Sequence, residues 1–219
     1  MDIQEMHNRF GLLTDRYGTP GFEPEEIDMF LNIAITGAIS SRLKPLEDPE
    51  QKSKFEYNQT LIDELSSLVE TTEPVISKNT DMAGFNKDAK CRFIKPGDYR
   101  NYLSSKVIIS GNRVKAEVIT VDQSEANSDD ALNEASNSYP FLIFQKNSIL
   151  LLCENAANVT GLDLTYLKIP DTVSLSDNVD CNLPVNLHDE IVMLAYNLAQ
   201  LPFDELNKYQ LSLLQTKKY

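Results

Sequence analysis

The sequence predicts an α+β protein in which helices from both ends of the chain form a bundle and an antiparallel β lobe is inserted between them. Three observations carry that expectation. Near the C-terminus, Leu187, Ile191, Leu194, Ala195 and Leu198 fall on one face of a helix. Near the N-terminus, Ile3, Met6, Phe10, Leu13 and Tyr17 recur three or four residues apart. From about Cys91 the texture changes to short runs of β-branched and aromatic residues, which pack well on a pleated surface.

The first helix is expected over residues 2–17 and is broken by Gly18, Pro20 and Gly21. The second starts near Pro24, whose missing N–H costs nothing in a first turn, with Glu25, Glu26 and Asp28 at the positive end of the macrodipole. Its buried face is Ile27, Phe30, Leu31, Ala34 and Ala38, and Arg42 and Lys44 sit at its negative end before Pro45 stops it. A third helix is expected over 49–70, with Phe55, Ile62, Leu65 and Val69 on one side and Leu61 and Leu68 alongside. The last long helix spans 186–200, with Asn186 as N-cap and Asp189 in its first turn, and a further helix covers 203–215 beyond Pro202.

Two hairpins are expected between these helical ends. One joins 106–109 to 113–121 through Gly111 and Asn112, and the other joins 141–145 to 148–153 through Lys146 and Asn147. A strand over 162–169 must end at Pro170, and 172–175 is expected to continue the sheet. Residues 122–137 carry Asp122, Glu125, Asp129, Asp130 and Glu134 with no Lys or Arg, as a solvated acidic loop does. The expected organisation is 1–80 for the N-terminal helices, 81–180 for the β lobe and 181–219 for the C-terminal helices.

At 219 residues and 42% hydrophobic, the chain suits one sizeable core or two small lobes. No apolar run approaches eighteen residues, and the chain opens with Asp2, Gln4 and Glu5, so neither a membrane span nor a signal peptide is expected. Three widely spaced cysteines, Cys91, Cys153 and Cys181, argue against both a disulfide framework and a zinc site. A net charge of −13 disfavours affinity for nucleic acid through counterion release, yet it permits DNA to pass close by without sticking.

Motifs for chemistry are sparse. His7 and His188 are the only histidines; His188, beside Asp189 and Glu190, is expected as a surface or interface residue, and His7 as partly exposed. Asp129 and Asp130 lack the turn glycine and closing glutamate of a calcium loop, Gly84 and Gly97 stand alone, and no serine sits in a nucleophile elbow. The residues favour a binding or structural protein, with no catalytic, cofactor or metal residue assigned. An undetected hydrolase and a cellular interaction module stay open as alternatives.

Two stretches carry a resemblance. RFGLLTDRYGTPGFEPEEIDMFLNIA (9–34) is a helix, a Gly/Pro break and a second helix; LTYLKIPDTVSL (164–175) is followed, after a polar loop, by LPVNLHDEIVMLAYNLA (183–199). In this order and separation they resemble the head-to-tail connector, or portal-adaptor ring, proteins of tailed bacteriophages. That group includes tail tubular protein A-like gatekeepers and the ring proteins of crAss-like phages. The resemblance implies a non-enzymatic virion protein of the phage neck, assembled in the bacterial host cytoplasm. It further implies a closed homo-oligomer, commonly twelvefold, that contacts the portal and adjacent tail rings and passes double-stranded DNA. A tail-tube or tail-completion protein shares the same assembly logic. On this resemblance Asp122, Glu125, Asp129, Asp130 and Glu134 become candidates for a lumen or inter-ring loop. Lys217, Lys218 and Tyr219 become candidates for an inter-ring tail. Ile33, Ile35, Leu61 and Leu68 are candidates for side-to-side contact.

Overall fold

A computed structural model describes residues 1–15, 21–47, 63–77, 89–128, 135–154, 156–201 and 208–210. The chain is mixed α+β and divides into two compact units. One unit takes residues 1–69 and 169–219, from both ends of the chain; the other is residues 70–168. Among the described residues no helix is long and apolar enough to cross a membrane.

In the first unit, helix α1 spans Ile3–Asp15 and α2 spans Pro24–Glu47. Asp2 caps α1, its carboxylate accepting the Glu5 N–H at 2.7 Å, which satisfies one of the free donors of the first turn. The Glu26 carboxylate reaches back to the Glu23 N–H at 2.9 Å, one half of a capping box ahead of Pro24. Pro45 does not stop α2, which continues to Glu47. Ile3, Met6 and Phe10 of α1 are fully buried, as are Leu31, Ala34, Ile35 and Ile39 of α2. Phe22 bridges the two helices edge-on, 5.7 Å from Phe10 and 5.5 Å from Phe30.

Val185–Ala199 forms a further long helix, α4, that packs against both α1 and α2. Its N-cap is Pro184 rather than Asn186, because the carbonyl of Pro184 already takes the Leu187 N–H at 2.9 Å. Leu187, Ile191, Val192, Ala195 and Leu198 are buried as its apolar spacing dictates. Of the expected helix over 203–215, only 208–210 are described, and they are helical. Tyr209 there lies against α2 at Gly37: a Cβ on Gly37 would come within 2.5 Å of the Tyr209 hydroxyl oxygen.

The expected helix over 49–70 lies mostly outside the described residues; 63–65 are helical, but its end is different. Ser66–Leu68 make a 3₁₀ turn, and Val69–Thr72 is already strand β1, as β-branched Val69, Thr71 and Thr72 favour.

The second unit is built on two sheets. Besides β1 it contains β2 (Ile76–Ser77), β3 (Ala89–Ile94), β4 (Tyr99–Ile109), β5 (Asn112–Lys115), β6 (Glu117–Val118), β7 (Phe141–Phe144), β8 (Ser148–Leu152) and β9 (Val159–Lys168). One sheet has the order β1-β9-β4-β5 and the other β2-β3-β8-β7-β6. Except for the parallel β6–β7 pair, every registered pairing is antiparallel. The β4–β5 turn uses Ser110 (φ 51°) and Gly111 (φ 81°), not Gly111 and Asn112. Two consecutive residues at positive φ give the twist that a two-residue hairpin needs.

The expected strand 113–121 is interrupted. Ala116 separates β5 from β6, which joins the other sheet, and Val121 opens helix α3 (Val121–Ser128). The first half of the expected acidic loop is therefore helix. Thr120 begins it: its hydroxyl accepts the Gln123 N–H, and the Gln123 side chain accepts the Thr120 N–H. Residues 172–175 do not extend either sheet, pairing only through an isolated bridge between Ser174 and Val179 in the first unit.

Alternation along β8 explains why all five of its residues are buried. Ile149 and Leu151 enter a core shared by both sheets with Phe93, Val107, Leu142, Leu162, Leu164 and Tyr166. Leu150 and Leu152 point the other way, into a second cluster with Ile119 and Ile143 against which Val121 of α3 packs. A run such as SILLL thus marks a strand covered on both faces.

Candidate functional site

The polar residues of the first unit are concentrated where α1 and α2 face the irregular segment 169–184. Asn32, in the middle of α2, accepts the Val173 N–H at 2.9 Å and donates to the Val173 carbonyl at 3.0 Å. One side-chain amide thereby replaces the pairing a neighbouring strand would give. Val173 is 1% exposed, so neither backbone group has water as an alternative. Four residues earlier, Asp28 accepts the Leu175 N–H at 3.0 Å and pairs with His7 Nε2 at 2.7 Å. Asp180 completes the set by accepting the Ile3 N–H at 2.7 Å.

His7 is therefore buried, not partly exposed. It sits on the α1 stripe, four residues after Ile3 and three before Phe10, and burial is tolerable because the Asp28 carboxylate faces it. His188 is likewise buried, not at the surface, and its Nε2–H donates to the Leu183 carbonyl at 2.8 Å. Its Nδ1 and the Asn182 Oδ1 are buried with no hydrogen-bond partner among the described residues.

Arg42 collects two carboxylates. It meets Glu190 of α4 through both terminal nitrogens at 3.1 and 2.7 Å, and Glu64 through Nε at 2.6 Å. The hydrogen bonding of Arg42 to Glu190 is the largest influence raising the Arg42 pKa, burial opposing it. The same bond holds the Glu190 carboxyl below the ordinary carboxylate range. A second ion pair, Arg9 with Asp189, crosses between α1 and α4. Beside it lies a shallow groove of about 440 Å³ floored by Leu13 and Val192, with Leu12 and Met193 exposed on its rim.

In the second unit, Tyr99 stacks between Phe144 at 5.8 Å and Tyr166 at 5.6 Å, with Tyr102 edge-on to Phe144 at 5.2 Å. The Lys95 ammonium lies 4.5 Å over the Tyr99 ring, and burial lowers its pKa. Tyr166 donates to Asp98 at 3.0 Å; burial first, then that carboxylate, pushes its pKa up to about 12. On another part of this unit a groove of about 640 Å³ runs along Val114–Val118, walled by Tyr102 and by Ser138–Phe141. Tyr139 stands exposed at its edge.

The residues expected at a lumen or inter-ring loop are only partly placed. Asp122 is exposed in the first turn of α3, and Glu125 belongs to the same helix. Asp129, Asp130 and Glu134, like Lys217, Lys218 and Tyr219, lie outside the described residues. Of the expected side-to-side contacts, Ile35 and Leu68 are buried within the unit and unavailable, Ile33 is half-buried, and Leu61 is outside the described residues. The three cysteines are all buried, none joined in a disulfide.

Among the described residues no three His, Cys, Asp or Glu side chains gather as a metal site. The His7–Asp28 pair has the chemistry of a proton-transfer dyad, but Asp28 is committed to the Leu175 N–H and neither residue lines either groove. The polar arrangement fastens loops to helices. Comparison with protein-family models and with curated proteins gives no match.

Proposed function

We propose that this chain is a structural subunit of the neck of a tailed phage, assembled as a closed ring, twelvefold as the resemblance implies, that joins portal to tail and lets DNA pass. In this proposal the chain performs no covalent chemistry. The observation that supports it most is the discontinuous unit: residues 1–69 and 169–219 form one body and deliver residues 70–168 as a separate body. Of the quoted motifs, 9–34, 169–175 and 183–199 fall in that first body, where α1, α2 and α4 would form the ring's helical bundle, while 164–168 belong to β9 of the second. A net charge of −13 per copy suits a channel through which DNA slides, since like charges repel.

Imaging of neck complexes assembled from the purified chain and its portal tests this directly. A closed ring of many copies seated on the portal is expected; binding as a lone copy, or no binding, contradicts it. Neutralising Asp122, Glu125, Asp129, Asp130 and Glu134 together is expected to slow genome passage without preventing ring formation.

A further inference from the structure

The strand order gives the β unit two flanks of opposite character. Chain-consecutive β1 and β2 each end one sheet, and chain-consecutive β5 and β6 end the same two sheets on the other side. Both flanks carry a four-residue strand in the first sheet and a two-residue strand in the second. Among the described residues no strand lies beyond any of the four. Among the described residues each outer edge therefore has backbone N–H and C=O groups that no strand takes up, and a neighbouring strand can pair with them.

Charge separates the two flanks. Among the described residues the β1–β2 flank exposes Glu70 and Glu73 and no base. The β5–β6 flank exposes Arg113 and Lys115, with Glu117 as its one acid. Asp163 occupies the Arg113 Nε at 2.7 Å, whereas Lys115 has no ion-pair partner among the described residues. Two β1–β2 flanks repel one another, whereas the β5–β6 flank presents in Lys115 a cation that Glu70 or Glu73 of a second copy can meet.

Shape agrees with charge. Val75, between β1 and β2, projects at 68% exposure, and the opposite flank holds the groove along Val114–Val118 with Val118 and Tyr139 exposed beside it. A knob on one edge and a groove on the other suit head-to-tail contact, not a two-fold dimer.

We infer that the β1–β2 flank of one copy pairs with the β5–β6 flank of a second copy of this chain. The contact is heterologous, so repetition closes a ring where the rotation between copies allows it. The inference rests on the ring reading above and names the surface through which neighbouring subunits join.

Mixing two full-length variants, Glu73→Cys and Lys115→Cys, and treating them with a short bis-maleimide tests it, the native cysteines being buried. With portal present, the mixture is expected to give at least tenfold more cross-linked dimer than either variant alone. Charge reversal supplies a second readout: Lys115→Glu is expected to lower assembly at least tenfold, and Glu70→Lys with Glu73→Lys in the same chain to restore it. Rings without the Glu73–Lys115 cross-link overturn this contact and leave the ring reading standing. Cross-linked open chains that never close support the contact and overturn the ring. A chain that neither assembles nor cross-links overturns both.

Discussion

The two units bury their interiors by different means. The β unit is closed by apolar volume: both sheets contribute to one core, and β8 is covered on both faces. The unit made from the chain ends has apolar helix stripes too, but its segment 169–184 is held by side chains. Asn32, Asp28 and Asp180 hydrogen-bond to Val173, Leu175 and Ile3 in place of a sheet ladder. A unit fastened in this way is sensitive to single polar atoms, and a packed sheet to lost methylenes.

The sharpest way to break the comparison is to remove volume from the sheet core. Leu151→Ala, at 0% exposure, is expected to cost about 2–5 kcal/mol in urea unfolding, through lost transfer energy and the cavity left behind. Next comes Asn32→Ala, expected to cost about 2–3 kcal/mol because Val173 keeps a buried N–H and carbonyl with no partner. If Asn32→Ala were nearly silent, side-chain fastening would not be what orders 169–184. Protection of the Val173 and Leu175 amides from hydrogen exchange, expected to fall in that variant, localises the effect.

Arg42→Ala gives a smaller loss with a pH signature. The Glu190 carboxyl is depressed in the folded chain, so its contribution is full above the unfolded value of about 4.3 and is lost as pH falls through the folded value. The Glu190 side chain is 52% exposed, and solvent screening keeps the contribution to about 1 kcal/mol or less. The stability gap between parent and variant, followed by urea unfolding against pH, is expected to be full at neutral pH and to shrink in acid.

The mildest test contrasts two helical glycines. Among the described residues nothing lies within 4 Å of a Cβ at Gly11, and Gly11→Ala is expected to stabilise by about 0.5–1 kcal/mol by restricting the unfolded chain. Gly37→Ala gains the same backbone term but must push the Tyr209 hydroxyl aside, and is expected to come out less stable than Gly11→Ala.

Much of the secondary structure was legible because apolar period survives folding: α1, α2, α4 and the β7–β8 hairpin lie where Ile3–Phe10, Ile27–Ala38, Leu187–Leu198 and the SILLL run put them. Local preferences misled where tertiary structure had another use for the residue. Asn186 is a good cap by type, yet the chain enters α4 two residues earlier through Pro184. The hairpin turn shifted to Ser110–Gly111 because Asn112 is needed in β5 opposite Ile109. The α3 helix was hidden by its acidic composition, although Thr120 with Gln123 three residues later is a capping signal.

The fastening residues carried a fainter signal. His7 lies on the α1 stripe, and Asn32 is flanked by Leu31 and Ile33 in an otherwise apolar stretch, positions where a polar side chain must find a partner. What Asn32 binds, a backbone 141 residues away, has no local trace. The flank charges were visible as residues, but only strand order shows that Glu70 and Lys115 end opposite sides of one sheet.

The intact mass of the complex formed by the purified chain with its portal tests the proposed ring most directly. A single species carrying a fixed, portal-matched number of copies, near twelve, is the predicted result. A chain that stays monomeric beside the portal, or adds without a fixed number, contradicts it.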